Sequence, residues 1–533
     1  MADATQRRDG LERQISPVAL LFTGITGIVG SGWLFASLYA AQIAGPAAIL
    51  SWCIGGGVAI TLALVYAELG GMLPVAGAIA RIPYFSHGGM CGFMAGWLCW
   101  IAYVATAPIE VTAVLQYASN YLPWLTTTEA GERALTPHGL AVAAALLLVF
   151  LLVNLAGVRW LARANTIITG WKLVIPVVAS VALIIAGFDG ANFTDHGGFA
   201  PMGATGVFSA VSAGGVMFSL FGFRTAIDMA GEAKNPQTSV PLAIIGAVLA
   251  SLAIYLLLQV AFIGAVPPAH LARGWGALSE NVPGGPFAAF ATLLGMQWLA
   301  AALYFDAVLS PSGTALAYTG ATARINYALA QNEQFPRHFL QLNAARVPVW
   351  ALVFNFALGF LLLLPFPGWA ELVGFISSAA VLSLAFGPIS LAALRHQLPA
   401  HERPFRLKAG IALSALSLVL VGSVVYWTGW DTNWKVFALA LGGAVLLSAL
   451  HLRRGDFDRL DARQCGWFFI VGGLAVISYL GGYGNGLNVL HHGIDLMLVA
   501  TLSLAVFWLA LETRLSDEEA GALAAKSAAD DPA

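Results

Sequence analysis

Charged residues are scarce in this chain. They make up 10% of its 533 residues, whereas a typical soluble domain carries about a quarter. The formal net charge of −2 offers little to a phosphate backbone, so nucleic acid is a poor partner. Hydrophobic residues make up 59% of the chain, and the mean hydropathy is +0.79. The composition therefore predicts a membrane protein rather than a string of soluble domains.

Cysteine is also scarce, and its few positions show no paired spacing. The four cysteines lie in or beside apolar stretches, at Cys53, Cys91, Cys99 and Cys465. This placement predicts small buried hydrophobic residues rather than disulfides or metal ligands. We expect no metal site and no cofactor.

Long apolar runs recur along the whole sequence, each able to cross a hydrocarbon core of ~30 Å. Fourteen such runs are bounded by glycine, proline and charged residues. They fall at 17–42, 46–72, 91–120, 139–157, 164–187, 206–230, 240–265, 287–318, 348–366, 370–394, 409–429, 433–452, 465–484 and 493–512. The sequence thus predicts an all-α polytopic membrane protein with about 14 transmembrane helices.

Lysine and arginine are distributed asymmetrically between the predicted loops. Twenty of the 25 fall on the side of the N-terminus, and only Arg133, Arg273 and Lys435 fall on the other. Because basic loops stay inside, both termini are expected in the cytoplasm, across a bacterial inner membrane. The N-terminal residues are polar and lead straight into a full-length span, which argues against a cleaved signal peptide. The polar, alanine-rich tail from Ser516 onward is expected to be loosely structured.

Two spans contain glycine clusters that predict interrupted helices. The first has Gly24, Gly27, Gly30 and Gly32 within nine residues, and the sixth is interrupted between Ser212 and Ala226. Each interior glycine costs a helix about 1 kcal/mol relative to alanine, and irregular backbone at membrane depth is tolerated where it lines a cavity. Breaks in the first and sixth spans are typical of an inverted repeat of five plus five helices around a midplane substrate site. The alternative is that the glycines serve close helix packing.

Paired breaks of this kind suit a zwitterionic ligand. The N–H groups at the start of a half-helix favour a carboxylate, and the carbonyls at the end of one favour an ammonium group. We expect the carboxylate near Gly30, Ser31 and Gly32. The ammonium group is expected near the carbonyls of Phe218, Ser219 and Phe221.

Four segments resemble the amino acid–polyamine–organocation (APC) permeases. They are GIVGSGWLF in the first span, YAELGGMLPVAGAIARIP from Tyr66, VMFSLFGFRTAIDMAGEAKNPQTSVP from Val216 and ARINYALAQNEQFPRHF from Ala323. Fourteen helices with a Gly-Phe-Arg sequence in the sixth look most like the bacterial aspartate:proton symporter branch. Trp33 and Arg224 depart from the commoner pattern of the superfamily.

The resemblance implies a division of the chain. A LeuT-like transport core of ten helices would span 17–394, with an inverted repeat pairing 17–187 with 206–394. Four peripheral helices would follow over 395–512. Residues 1–16 and 513–533 would be cytoplasmic tails.

Lys172 lies inside the fifth predicted span. In proton-coupled relatives a lysine at the matching place puts its ammonium group between the first and eighth helices. The resemblance therefore implies a proton-coupling role, with carbonyls near Gly27 and Ile28 and the hydroxyl of Ser310 or Ser312 as neighbours. The alternative is a lysine that extends to the membrane surface from a helix end.

Arg224 follows the predicted break in the sixth span. A guanidinium group there is able to bind a second substrate carboxylate in bidentate fashion, which would favour aspartate or glutamate. Arg224 and Asp228 are also spaced for a structural pair on one helix face. Both interpretations stay open.

Other ionisable or bulky groups at membrane depth are further candidates. Glu110 in the third span is a candidate proton carrier or a structural acid. Glu68 is expected to tie the first cytoplasmic loop, and Asp306 to pair with a cation or to be structural. The resemblance makes Phe218 a candidate lid over the substrate.

These features predict a proton-coupled symporter of amino acids that works by alternating access, with acidic amino acids favoured. Its partners would be the amino acid, protons and membrane lipid. A symporter of neutral amino acids, or an exchanger of amino acids or amines, is the alternative within the fold. A polytopic membrane enzyme such as an acyltransferase is a remote one, because no nucleophile or metal motif of such an enzyme is present.

Overall fold

The computed structural model describes residues 13, 15–129, 132–156, 158–278, 285–364, 369–455, 466, 468–491 and 493–530. These residues are mostly helical. The one sheet among them is a short antiparallel hairpin of β1 (Thr126–Glu129) and β2 (Glu132–Leu135), which the sequence analysis did not foresee.

Helices follow one another along the described chain with short connections. In chain order they are α1 (Pro17–Ile28), α2 (Gly32–Ala44), α3 (Ala48–Met72), α4 (Ala78–His87), α5 (Gly89–Ala118), α6 (Pro137–Leu155), α7 (Val158–Gly187), α8 (Gly203–Ser212), α9 (Val216–Leu220), α10 (Arg224–Asp228), α11 (Pro236–Ala265), α12 (Pro286–Leu293), α13 (Gln297–Gln331), α14 (Val349–Leu362), α15 (Trp369–Leu384), α16 (Phe386–Gln397), α17 (Gly410–Thr428), α18 (Trp430–Arg454), α19 (Phe468–Leu480), α20 (Ile494–Glu512) and α21 (Asp517–Asp530).

Most of these helices are apolar and long. In the described part of the chain, ten helical segments are long and apolar enough to cross a membrane, or eleven if the bent pair α8 and α9–α10 forms one span. One of the ten joins α2 and α3, and three further apolar helices, α1, α14 and α19, are shorter than a full span. The prediction of a polytopic all-α membrane protein is confirmed, and the number fourteen stays a prediction.

Local sequence signals set the helix ends. Ser16 caps α1 by accepting a hydrogen bond from the Ala19 N–H, and Pro17 occupies the first helical position, where its missing N–H costs nothing. Gly45 ends α2 with φ +64°, a conformation open to glycine without strain.

Both predicted interruptions are present. Val29–Ser31 separates α1 from α2, and Ala213–Gly215 separates α8 from α9 with a bend of 43°. Gly215 has φ +83°. A tight 3₁₀ turn at Phe221–Phe223 then separates α9 from α10. The α-helix of the sixth span is therefore interrupted at two places.

The centre of the bundle is built around α5, which is buried through its membrane-length window. It packs against α13 and α15, while α11 packs against α3 and α1. This arrangement carries Glu110 and Tyr103 of α5 to the two broken spans.

Two minor expectations are wrong. The tail forms α21, whose start is fixed by a capping box in which Ser516 and Glu519 bond each other. Cys91 and Cys99 are buried as expected, whereas Cys53 is exposed on the outer face of α3. Cys465 lies outside the described residues.

Candidate substrate cavity

A small cavity lies where the two broken spans meet α5, α13 and α15. Six of the predicted site residues line it: Gly27, Ile28, Glu110, Phe218, Phe221 and Arg224. Thr106, Tyr318, Ile376, Ser377 and Ala380 complete the lining. Its open volume is about 10 Å³, which is room for about one water molecule, so substrate binding requires the lining residues to move apart.

The N-terminal end of α2 is occupied by a side chain of the protein itself. The Ser31 N–H donates to Glu110 Oε2 over 2.7 Å, and Glu110 is 1% exposed. The Ser31 hydroxyl accepts from Trp369 Nε1 over 2.9 Å. The Ser31 N–H, which the sequence analysis assigned to a substrate carboxylate, is therefore bonded to the Glu110 carboxylate in this structure.

The glycines of the first span serve both packing and the break. A Cβ atom on Gly27 would lie 2.6 Å from the Gly222 carbonyl oxygen, so the backbones of α1 and the Phe221–Phe223 turn touch there. A Cβ atom on Gly30 would lie 2.7 Å from Glu110 Oε1. Gly32 lies against Ser219. The two interpretations of the glycine cluster thus apply to different glycines.

Lys172 reaches the C-terminal end of α1 and does not extend to the surface. Its Nζ donates to the Thr26 carbonyl over 3.2 Å and to Thr314 Oγ1 over 2.8 Å. A cation is stabilised at the carbonyl end of a helix. The Lys172 ammonium group lies between the first and eighth spans, where the resemblance implied it. Its partners are Thr26 and Thr314. The expected partners were Gly27, Ile28 and Ser310 or Ser312.

Arg224 is buried and lines the cavity. Its guanidinium carbon lies 4.7 Å from the ring centroid of Tyr103, and its Nε donates to the Phe221 carbonyl over 3.2 Å. Its Nη1 is buried without a hydrogen-bond partner among the described residues. Tyr318 also interacts with the guanidinium group. A fixed guanidinium with one donor unused is equipped to bind an anionic group.

Asp228 is held by other partners. It accepts from the Tyr103 hydroxyl over 2.6 Å and from the Ile79 N–H over 3.3 Å. Within the described residues, no ion pair joins it to Arg224. Tyr103 contacts both residues, because its hydroxyl donates to Asp228 and its ring packs against the Arg224 guanidinium group. The spacing of Arg224 and Asp228 in the sequence did not indicate this third residue.

One of the three carbonyls expected to bind the ammonium group already has a side-chain partner. The Phe221 carbonyl already accepts from Arg224 Nε. The Ser219 hydroxyl points back to the Gly215 carbonyl at 2.7 Å. An ammonium group near Phe221 would therefore share that carbonyl with Arg224.

Trp369, at the start of α15, is a site residue that the sequence analysis missed. Its ring packs against Phe35, Tyr39 and Phe218 at centroid distances of 5.1, 5.5 and 5.8 Å. Phe218 thus contributes to an aromatic cover beside the cavity, together with Trp369. Only the tertiary fold brings Trp369 to Ser31, so no local signal in the sequence marks it.

Two other acids lie away from the cavity lining. Glu68 binds Arg395 through both oxygens, at 2.9 and 2.7 Å, and accepts from the Leu407 N–H. It therefore ties α3 to α16 and to the segment that follows α16, not to the loop after α3. Asp306 accepts from Trp33 Nε1 over 3.1 Å and is buried.

A second, larger cavity of about 90 Å³ lies nearer the N-terminal end of α1. Thr23, Met229, Arg324 and Arg346 contribute to its mostly apolar lining. Thr23 is about one helical turn from Gly27, which lines the smaller cavity. Gly27 contacts Gly222, so this contact borders the smaller cavity.

Comparison with known proteins agrees with this architecture. The model of the amino acid permease family matches residues 15–446. The glutamate/serine transporter AimA of Bacillus subtilis is 40% identical over 95% of both chains. The aspartate-proton symporter of the same species is 37% identical over 96% of this chain and 98% of that protein. The aromatic amino acid transport protein AroP of Escherichia coli is 27% identical over 76% of this chain. The predicted resemblance is confirmed, and the chain belongs to the amino acid permease family.

Proposed function

We propose that the protein is a proton-coupled symporter of acidic amino acids in the bacterial plasma membrane. Two relatives that match almost the whole chain carry names that specify aspartate with protons, or glutamate with serine. The cavity supplies the matching chemistry, since Arg224 lines it with a buried guanidinium group and Glu110, another lining residue, bonds the Ser31 N–H at the start of α2. The free Nη1 of Arg224 is the observation that carries the choice of substrate.

The substrate would lie between the two broken spans. Its α-carboxylate would bind the N–H groups at the start of α2, near Gly30, Ser31 and Gly32. Its ammonium group would lie near the backbone carbonyls around Phe218, Ser219 and Phe221. Its side-chain carboxylate would reach Arg224, which offers paired donors to a planar anion.

Lys172 and Glu110 would couple this binding to protons. Lys172 holds the carbonyl end of α1 and the Thr314 hydroxyl, so a change in its charge changes how α1 is held to α13. Glu110 lies at the start of α2. Both ends of the first break thus depend on an ionisable side chain.

Alternating access would move the two halves of the first and sixth spans. The N-terminus would lie in the cytoplasm, and the larger cavity would form the route to that side. Separation of Gly27 from Gly222 would join the two spaces. The transport core would comprise 17–394, with 395–512 as peripheral helices.

Neutral amino acids form the second candidate class, because one relative is named for serine as well as glutamate. Serine would use the same sites for its α-carboxylate and ammonium groups, but it has no side-chain carboxylate to reach Arg224. A comparison of the two substrates therefore isolates the role of that residue.

Substitution Arg224→Gln tests the acidic-substrate assignment. We expect uptake of labelled aspartate into proteoliposomes to fall at least tenfold, because the loss of one hydrogen bond to a charged group costs about 1.5–3 kcal/mol. Serine uptake by the same preparation serves as the internal control and should change much less. An equal loss for both substrates would mean that Arg224 acts structurally. Serine uptake without aspartate uptake by the unmodified protein would favour the neutral class.

A further inference from the structure

The position of Glu110 carries an implication beyond a role as a proton carrier. In a substrate-binding half-helix, the first free N–H groups are the natural ligands of the α-carboxylate. Here the Ser31 N–H already donates to Glu110 Oε2 at 2.7 Å. The protein has therefore placed its own carboxylate where the substrate would put one.

The space around this bond is too small for two carboxylates. A Cβ atom on Gly30 would lie 2.7 Å from Glu110 Oε1, 3.0 Å from Glu110 Oε2 and 2.8 Å from Thr314 Oγ1. Glu110 is also part of the cavity lining. Two ionised carboxylates at one N–H would repel each other strongly in this buried setting.

Charged and titratable groups approach Glu110 from several helices. Lys172 on α7 interacts with it electrostatically, and so do Tyr255 on α11 and Tyr318 on α13. Arg224 lines the same cavity. Among the described residues, no direct ion pair joins Glu110 to Lys172, whose Nζ is bonded to Thr26 and Thr314 instead. Glu110 is therefore held at Ser31 without a salt bridge that would fix it there.

We propose that the Glu110 carboxylate is an internal competitor of the substrate α-carboxylate. A proton from the side of substrate entry neutralises Glu110, which then leaves the Ser31 N–H, and the substrate carboxylate takes its place. After the substrate departs, Glu110 loses that proton to the opposite side and rebinds Ser31. One proton thus accompanies each amino acid because the two carboxylates exclude each other. This mechanism rests on the proposed transport function but not on an acidic side chain in the substrate.

The test is the pH dependence of binding to the purified full-length protein. Labelled aspartate, glutamate and serine are used, between about pH 5 and 8, where their carboxyl groups stay ionised. We expect the apparent Kd of the unmodified protein to rise by up to about tenfold per pH unit on the alkaline side, as one linked proton requires. Glu110→Gln, whose amide oxygen is able to accept from Ser31, should bind tightly with no such slope. It should also exchange labelled for unlabelled substrate but lose accumulation driven by a proton gradient.

Controls keep the outcomes separate. Asp195→Asn removes an exposed acid and should leave the slope unchanged. Glu110→Asp keeps a titrating group and should retain a slope if the glutamine variant does not fold. The same slope in Glu110→Gln as in the unmodified protein would overturn the proposal, and so would a slope seen for acidic substrates alone. Serine binding with the expected slope, but no aspartate binding, would contradict only the acidic-substrate assignment.

Discussion

At the scale of single residues, the first break is stable because the carbonyls of its last turn have partners. The Thr26 carbonyl accepts from Lys172 and Thr314, the Ile28 carbonyl from the Tyr255 hydroxyl, and the Val29 carbonyl from the Ser310 hydroxyl. Unsatisfied backbone groups at membrane depth cost several kcal/mol each. These side chains allow α1 to end inside the bundle, and they connect it to α7, α11 and α13.

Gly27 is the residue for which the steric argument is sharpest. A Cβ atom there would lie 2.6 Å from the Gly222 carbonyl oxygen and 2.8 Å from Thr225 Oγ1. We predict that Gly27→Ala lowers the melting temperature of the purified protein markedly, because backbone would have to move. Gly57→Ala is the matched control, since nothing lies within 4 Å of its added methyl group. That variant should be neutral or stabilised by up to about 1 kcal/mol. Equal melting temperatures for the two variants would contradict the close contact.

Residue identity predicted part of this site and not the rest. The glycine clusters indicated both breaks, because glycine is costly inside a helix. The rarity of charge at membrane depth singled out Lys172, Glu110 and Arg224. Trp369 and Thr314 were missed, because a tryptophan or threonine in an apolar span carries no cost that marks it. Their roles arise from contacts with residues that are distant in the sequence.

At the scale of elements, three segments meet at one end of the bundle. Residue Ile15, just before α1, pairs with the backbone of Glu232 and Lys234 at 2.9 and 2.8 Å. Arg324 of α13 forms a bidentate ion pair with the Glu232 carboxylate. Glu232 belongs to the family-like segment that begins at Val216, and Arg324 belongs to the one that begins at Ala323. Two of the motifs that suggested the family therefore contact each other.

This cluster borders the larger cavity, because Ile15 and Arg324 line it, and the ion pair is positioned to limit access to that cavity. Glu232→Gln leaves the buried Arg324 charge without its partner, a loss that costs about 3–5 kcal/mol in a buried pair. We predict that a cysteine at Thr23, which lines that cavity, reacts at least about tenfold faster with a polar thiol reagent in this variant.

Cys53 is exposed, so it and Cys465 are first replaced by serine in every sample. Glu518→Gln, an exposed acid of α21, is the control and should leave the rate unchanged. If Glu232→Gln also left the rate unchanged, the ion pair would not close this cavity.

At the scale of the whole molecule, the smaller cavity is enclosed by elements from distant parts of the chain. The aromatic cover formed by Trp369 and Phe218 lies on the α2 side of the smaller cavity. The contact between Gly27 and Gly222 lies on the α1 side. The larger cavity begins at Thr23, about one turn from Gly27 toward the N-terminal end of α1. A bundle in which the smaller, central cavity is separate from the larger one is suited to admitting a small polar molecule from one side at a time.

Composition predicted the membrane class and hydropathy predicted the helices, because the bilayer imposes its thickness on the sequence. The hairpin of β1 and β2 and the docking of α21 were not predicted. Both lie in polar segments, where no such constraint acts.

The central claim is that a proton gradient drives amino acid uptake, and one measurement tests it most directly. Purified protein in sodium-free proteoliposomes is given labelled aspartate, with and without an inward proton gradient. We predict accumulation that depends on the gradient and collapses with a protonophore. Lys172→Met, which cannot donate to Thr26 and Thr314, should abolish it, while exchange of internal for external substrate persists. A folded preparation that takes up aspartate equally well without the gradient, or does not take it up at all, would contradict the account.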